Sequence, residues 1–121
     1  MANATGKSVH PVVVRLDVYS GRENPEWPLS AAQTEELLRR YDELPVVAEG
    51  PPPFDGLGYR SVSAVLDGGG EIVANRSMVT RGAEKRLDRG RTFEDWLVGT
   101  GAGHVSEALL ARLRQEMRGA Q

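Results

Sequence analysis

The sequence feature that most constrains the fold is a run of alternating side chains between Pro11 and Tyr19. Every second side chain is apolar, and these are Val12, Val14, Leu16 and Val18. The positions between them include Arg15 and Asp17. Successive side chains of a strand point to opposite faces, so this alternation among β-branched residues predicts a strand with one buried face. The chain is therefore expected to build a sheet with its core on one side.

A compact corner and a helix follow this strand. The corner, residues 20–30, contains two prolines, a glycine, an arginine, an asparagine and a tryptophan, a mixture that an ordinary surface loop does not need. Ser30 and Gln33 have the spacing of a capping box, which predicts that a helix begins there. Its apolar stripe comprises Leu37, Leu38, Tyr41 and Leu44. Pro45 ends the helix because proline cannot continue it.

Prolines and glycines divide the middle of the chain. A triple proline and three glycines predict an extended connector over residues 45–58. Strands are predicted over residues 59–66 and 71–75, with the second of them continuing to Thr80 as an open alternative. A glycine-rich turn at residues 67–70 joins these strands, so they must be antiparallel.

The last part of the chain reads as mainly helical. Residues 81–91 are polar and basic, and we interpret them as a loop or one loose helical turn. Thr92 is predicted to cap a short helix that ends at Gly99. Ser106 is predicted to cap a final helix, with Leu109, Leu110, Leu113 and Met117 as its buried stripe.

These elements predict an α+β fold, in which a small antiparallel sheet of three or four strands has helices packed on one face. Residues 1–8 are expected to form a disordered tail, and residues 9–121 a single domain. An exposed edge strand of such a sheet would be open to pairing with a peptide or with a second copy of the chain.

Composition excludes several kinds of site. The 121 residues include no cysteine and only two histidines, so disulfides, thiolate catalysis and histidine-rich metal sites are excluded. No apolar run approaches the roughly 20 residues that span a bilayer, and the first eight residues lack the apolar segment of a secretory signal. We therefore expect a cytoplasmic protein with no cofactor, no metal and no membrane partner.

Two glycine clusters have only part of the pattern of phosphate-binding loops. Residues 99–103 have the spacing G-x-G-x-G, but a helical pattern precedes them and too few residues follow for the rest of a nucleotide-binding unit. Residues 68–70 lack a following helix and a lysine. We interpret the first cluster as a flexible link between helices and the second as a hairpin turn.

Charge is distributed unevenly, although the net charge is only −2. Residues 17–55 carry a net charge of −6, whereas residues 76–91 carry +4. The basic segment lacks the interleaved aromatic residues that stack on bases, which argues against a nucleic-acid partner. We expect Arg81, Lys85 and Arg86 to select acidic side chains of a peptide, or alternatively to pair with the acidic half of the chain.

The corner supplies the other candidate binding residues. Pro25 restricts Asn24 to an extended conformation, and Arg22 has a planar fork that can clamp a carboxylate. Trp27 can either stack on a ligand or plug the core. In the structural alternative, Trp27 anchors the corner and Arg22 bonds nearby carbonyls or acids. Asp17 is a candidate acid or base, or else a solvated carboxylate.

Two stretches resemble recurrent pieces of a group of small, mostly uncharacterised bacterial proteins. The first, residues 16–27, contains the corner motif S-G-R-x-N-P-x-W, and the second is residues 88–97. Some members of the group look like peptide-binding accessory proteins of pathways that build ribosomally made, modified peptide natural products. The resemblance implies a strand–corner–helix fold and a binding role, and it assigns no catalytic residue.

The leading hypothesis is non-catalytic binding of an acidic peptide or precursor peptide in such a pathway, by a homodimer or by a complex with a homologous subunit. A second hypothesis is a small hydrolase or cyclisation enzyme that uses Asp17 with Arg22. A third is an immunity protein that sequesters a small molecule.

Overall fold

The computed structural model describes residues 11–18, 23–48 and 61–119, without the side chains of the last two residues. The predicted tail and most of the predicted connector lie outside the described residues. The strands are β1 Val13–Asp17, β2 Glu26–Pro28, β3 Val46–Val47, β4 Ser61–Val65, β5 Glu71–Asn75, β6 Met78–Arg81 and β7 Glu84–Leu87. The helices are α1 Ala31–Glu43, α2 Thr92–Gly99 and α3 Glu107–Gly119, with a 3-10 turn at Arg89–Arg91 before α2.

The described strands form one antiparallel sheet in the order β2-β1-β4-β5-β6-β7-β3. The α+β class is therefore confirmed, whereas the prediction of three or four strands is wrong, because the described residues alone contribute seven strands to the sheet. β1 lies inside the sheet, between β2 and β4. Val14 is opposite Trp27 on one side and Ala64 on the other, so the buried side chains of these three strands share a face.

The extra strands beyond β5 arise at turns that the sequence pattern does not mark clearly. β5 and β6 are joined through Arg76 and Ser77, which have φ values of 53° and 70° although neither is glycine. Two successive residues with positive φ form a tight hairpin turn, and an Asn-Gly pair is the usual sequence signal for such a turn. β7 lies within residues 81–91, so the prediction of a loop or helical turn there is wrong. β7 pairs with β6 on one side and β3 on the other, and this pairing outweighs its polar composition.

The core lies between one face of the sheet and the helices. The alternation predicted for β1 is confirmed, because Val14 and Leu16 are fully buried while Arg15 is exposed. The predicted capping box is also confirmed: Ser30 Oγ accepts from the Gln33 N–H, and Gln33 Oε1 accepts from the Ser30 N–H. The buried helical side chains are Leu37 and Tyr41 of α1, Phe93, Leu97 and Val98 of α2, and Leu110, Leu113 and Met117 of α3.

The glycine-rich segment 99–103 joins α2 to α3, as predicted, but it forms a hydrogen-bonded turn where the sequence indicates a flexible link. The His104 N–H donates to Gly101 O at 2.8 Å, and Gly103 has a φ of 85°. Ser106 Oγ then accepts from the Leu109 N–H at 3.1 Å, which confirms the predicted start of α3. None of the helices in the described part of the chain is long and apolar enough to cross a membrane.

Both edges of the sheet are short, which limits pairing with a peptide. β2 has three residues. In its register with β1, the backbone of Pro28 faces the open edge of the sheet, where proline has no N–H to offer an added strand. β3 has two residues, of which Val46 is 61% exposed. The Leu87 N–H donates to Pro45 O, so in β3 only Val46 turns its N–H and C=O outward. Edge pairing stays a prediction that these short strands support weakly.

Candidate functional site

The corner places its tryptophan inside the protein. Trp27 is 1% exposed, and its Nε1 donates a hydrogen bond of 2.9 Å to Thr100 Oγ1. Gly101 lies directly against the ring, since a Cβ at this position would be 2.8 Å from Trp27 Cη2. A ligand cannot reach the indole while the core is closed. In this structure Trp27 therefore joins the corner to the link after α2.

The other corner residues are partly described. Asn24 Oδ1 accepts a hydrogen bond of 3.0 Å from the Val18 N–H, just after β1. Arg22 lies outside the described residues, so its role as a carboxylate clamp stays a prediction. Asp17 is half-buried and has an interaction partner. An acid–base role for Asp17 together with Arg22 also stays a prediction.

A cavity of about 620 Å³ opens beside the corner. Its described lining is Arg15, Glu23, Asn24, Pro25 and Glu26. Arg15 Nε donates to Glu26 Oε2 at 2.7 Å, which leaves the charge of Glu23 uncompensated within the lining. The described wall of this cavity is therefore acidic and would repel the carboxylates of an acidic peptide.

The second recurrent stretch, residues 88–97, builds the start of α2. The sequence predicts Thr92 as the cap, but the buried carboxylate of Asp88 has this role instead. Its Oδ1 accepts from the Phe93 N–H at 2.9 Å and its Oδ2 accepts from the Glu94 N–H at 3.0 Å. These N–H groups have no partner within the helix itself, so Asp88 satisfies them and places negative charge at the positive end of the helix dipole.

A buried ion pair fixes the same stretch. Arg91 Nε and Nη2 donate to the two carboxylate oxygens of Glu94 at 2.8 Å each, and Arg91 Nη1 donates to Met117 O at 3.1 Å. Gly90 and Arg91 both have positive φ, which turns the chain into α2. These contacts are structural. The aromatic side chain of this stretch that stays partly exposed is Trp96.

Arg86, predicted to select acidic side chains, is occupied at the end of α1. Its Nη1 donates to the carbonyl oxygens of Tyr41, Asp42 and Leu44 at 3.2, 3.1 and 2.9 Å. A helix leaves its last carbonyls unpaired and negative, so a guanidinium is stabilised there. Arg86 Nε donates to Glu84 at 3.0 Å, and its Cζ lies 4.5 Å from the centroid of the Tyr41 ring. Arg86 therefore ties β7 to α1.

This cluster is expected to contribute less to stability as the pH falls. The hydrogen bond from Tyr41 Oη, 2.6 Å long, and then the Arg86 guanidinium hold the pKa of the Glu84 carboxyl below its ordinary value. A carboxyl with a lowered pKa in the folded state gives stability that is present above its unfolded pKa and is lost as pH falls through the folded pKa. Glu84→Gln should therefore be less stable than wild type near neutral pH, and the difference should shrink as the pH falls through the lowered folded-state pKa of Glu84. Urea unfolding at a series of pH values measures this difference.

The matched variant for this experiment is Tyr41→Phe. It removes the hydrogen bond that contributes most to the lowered pKa of Glu84. In this background the stability difference caused by Glu84→Gln should therefore depend less on pH. A stability difference between wild type and Glu84→Gln that stays constant across the pH range would contradict the expectation.

The structure does not bring the described members of the predicted binding set together. Asn24 and Trp27 lie at the β2 end of the sheet, whereas Arg81, Lys85 and Arg86 lie on β6 and β7. Five strand spacings separate β2 from β7, which is about 24 Å at roughly 4.8 Å per strand. Arg81 and Lys85 are exposed and can contact a partner, but on a surface separate from the corner.

The three helices form a groove that the sequence does not predict. The cavity, which we call the helical groove, has a volume of about 470 Å³ and is lined by Gln33, Arg40, Thr92, Asp95, Trp96, Gly99, Thr100 and Arg114. Residues of α2 and its end form the floor, while α1 and α3 supply one wall each. Within the sequence, Arg40 reads as an ion-pair partner of Glu36, and Arg114 as a complement to the helix dipole. Neither pattern points to a shared surface.

Each wall of the helical groove carries one guanidinium group. Arg40 Nε donates to Glu36 Oε2 at 2.6 Å, and Arg114 Nε donates to Asp95 Oδ1 at 3.1 Å. Among the described residues, these are the only hydrogen bonds of the two guanidinium groups. Their Nη1 and Nη2 groups therefore keep the donors that a carboxylate binds in bidentate geometry.

Trp96 forms the apolar part of the floor. Arg40 Cζ lies 5.0 Å from the centroid of its ring, and the Phe93 ring packs at 6.5 Å with a tilt of 53°. Gly99 lets Arg114 come close to α2, because a Cβ there would be 2.7 Å from Arg114 Nη2. The helical groove thus combines an aromatic surface with two cationic groups, which can hold carboxylates together with their apolar stems.

Comparison of the chain with protein-family models, with curated proteins and with solved structures gives no match. The resemblance of the two stretches therefore stays a prediction. Within residues 11–18, 23–48 and 61–119, no group of three or more histidine, aspartate or glutamate side chains is placed to hold a metal ion.

Proposed function

We propose that this protein is a non-catalytic binding protein for an acidic peptide and that the helical groove holds the peptide. The observation that carries the proposal is a pair of guanidinium groups, Arg40 and Arg114, with free Nη donors around a partly exposed indole. The described lining of the groove has two arginines and one acid, Asp95, and Glu36 pairs with Arg40 from outside that lining. The Nη donors, rather than a net positive charge, therefore favour a carboxylate ligand.

The biological setting rests on the two recurrent stretches alone. They favour an accessory role in a pathway that makes a modified ribosomal peptide, in which case the ligand is a precursor peptide. A homodimer, or a complex with a homologous subunit, also belongs to this proposal. The competing functions are a small hydrolase or cyclisation enzyme and an immunity protein that sequesters a small molecule.

Two variants of the helical groove should change peptide affinity in opposite directions. Arg114→Ala removes one guanidinium and should weaken binding of a labelled, glutamate-rich peptide by roughly fivefold to tenfold. Asp95→Asn keeps the size of the side chain but removes a negative charge beside Arg114, so it should strengthen binding by roughly twofold to fivefold. Fluorescence anisotropy titrations give both affinities.

Arg112→Ala is the matched control, because Arg112 also lies on α3 but pairs with Glu116 at 3.3 Å outside the groove lining. It should leave the affinity unchanged. Weaker binding in Asp95→Asn, or equal losses in Arg112→Ala and Arg114→Ala, would contradict the proposal.

A further inference from the structure

The two guanidinium groups of the helical groove are held on different helices. Glu36, on α1 itself, anchors Arg40 through Nε, and Asp95 on α2 anchors Arg114 of α3 in the same way. Arg40 also lies over the Trp96 ring, whereas Arg114 lies against Gly99. The groove therefore presents two separate cationic positions on its two walls, above one aromatic floor.

Resting on the function proposed above, we propose that the groove recognises a peptide segment with two carboxylates, one for Arg40 and one for Arg114. The methylene stems of the two acidic side chains pack against the accessible part of Trp96 that Arg40 leaves uncovered. Each guanidinium group is already partly neutralised by its own acid and is partly exposed, with 35% of the Arg40 and 41% of the Arg114 side chain accessible. A single carboxylate therefore contributes little binding free energy at either position. Two carboxylates on one peptide contribute much more, because the second binds intramolecularly once the first is held.

Three synthetic peptides test this inference. One carries two glutamates separated by a single glycine in a neutral glycine–serine background, and the other two carry glutamine in place of one or the other glutamate. We expect the two-glutamate peptide to bind wild-type protein roughly tenfold more tightly than either single-glutamate peptide, beyond the about twofold that two equivalent acids give statistically. Anisotropy titrations with labelled peptides measure these ratios.

The arginine variants show which position each acid uses. In Arg40→Ala and in Arg114→Ala, one cationic position is gone, so the advantage of the two-glutamate peptide should fall to about twofold or less. Arg112→Ala is the control, because this arginine is exposed on α3 outside the groove lining and pairs with Glu116. It should keep the roughly tenfold advantage.

The outcomes separate the inference from the function on which it rests. If no glutamate peptide binds in a way that depends on Arg40 or Arg114, both the proposed function and the inference are overturned. If the single-glutamate peptides bind as tightly as the two-glutamate peptide and depend on one arginine only, peptide binding stands and recognition of two carboxylates is overturned.

Discussion

The Glu94→Ala variant is expected to lose about 3–5 kcal/mol of its free energy of unfolding. Glu94 is fully buried, and its carboxylate accepts two hydrogen bonds from Arg91, whose side chain is only 10% exposed. The substitution removes the carboxylate that neutralises a guanidinium group inside the protein, and the hydrogen bond to Met117 O that remains does not replace that charge. Because domains are typically stable by roughly 5–15 kcal/mol, this loss would leave the folded state marginal.

A second variant separates the cost of a buried unpaired charge from the loss of packing. Replacing both partners, Arg91→Met with Glu94→Leu, buries no charge and should recover much of the stability that Glu94→Ala loses. Urea unfolding followed by circular dichroism measures all three proteins. Glu36→Ala removes a partly exposed acid that bonds Arg39 and Arg40, so it serves as the surface control. A loss in Glu94→Ala no larger than in this control would contradict the expectation.

Elements with a local signal in the sequence are the ones that the sequence predicts correctly. β1 is marked by its alternation, and α1 by the capping box between Ser30 and Gln33. β7 has no such signal. Its polar residues are ordered by pairing with β6 and β3, and β6 itself begins after a turn at Arg76 and Ser77 that lacks glycine. Long-range pairing therefore sets the number of strands, and composition does not reveal it.

The candidate site is less predictable than the fold, because each of its residues has a sufficient local explanation. Arg40 follows Glu36 by one helical turn, Trp96 continues an apolar face with Phe93, and Arg114 lies late in its helix. Only the packing of three helices brings these side chains to one groove. Nothing in the local sequence encodes that packing.

The corner illustrates a different ambiguity of sequence interpretation. Its unusual composition favours a ligand-binding interpretation, but the indole of Trp27 contacts Thr100 and Gly101, which lie 73 and 74 residues further along the chain. An aromatic residue in a short connector can therefore signal a long-range packing contact as readily as a binding site. The structural alternative considered for Trp27 accounts for its described contacts.

Trp27→Ala is expected to destabilise the protein by about 3–5 kcal/mol, comparable with Glu94→Ala. The indole is buried between the corner and the link after α2. Its removal would leave a large cavity and would take away the donor to Thr100 Oγ1, whose own hydroxyl still donates to Leu97 O. Trp96→Ala is the matched control, since the Trp96 ring is partly exposed and lines the helical groove. It should be less destabilising, and it should weaken binding of acidic peptides instead. Equal losses of stability in the two variants would contradict the role assigned to Trp27.

A double-mutant cycle locates the contact itself. Gly101→Ala places a methyl group 2.8 Å from Trp27 Cη2 and should cost about 1–3 kcal/mol by overpacking. In a Trp27→Leu background the ring is absent, so the same substitution should cost much less. Gly103→Ala provides the contrast, because its Cβ would meet nothing within 4 Å, while its φ of 85° disfavours alanine. Its cost, about 1 kcal/mol, arises in the backbone and should be the same in both backgrounds. Coupling at Gly101 without coupling at Gly103 would show that the corner is held by ring packing, and equal coupling at both positions would instead indicate a general loosening of the link.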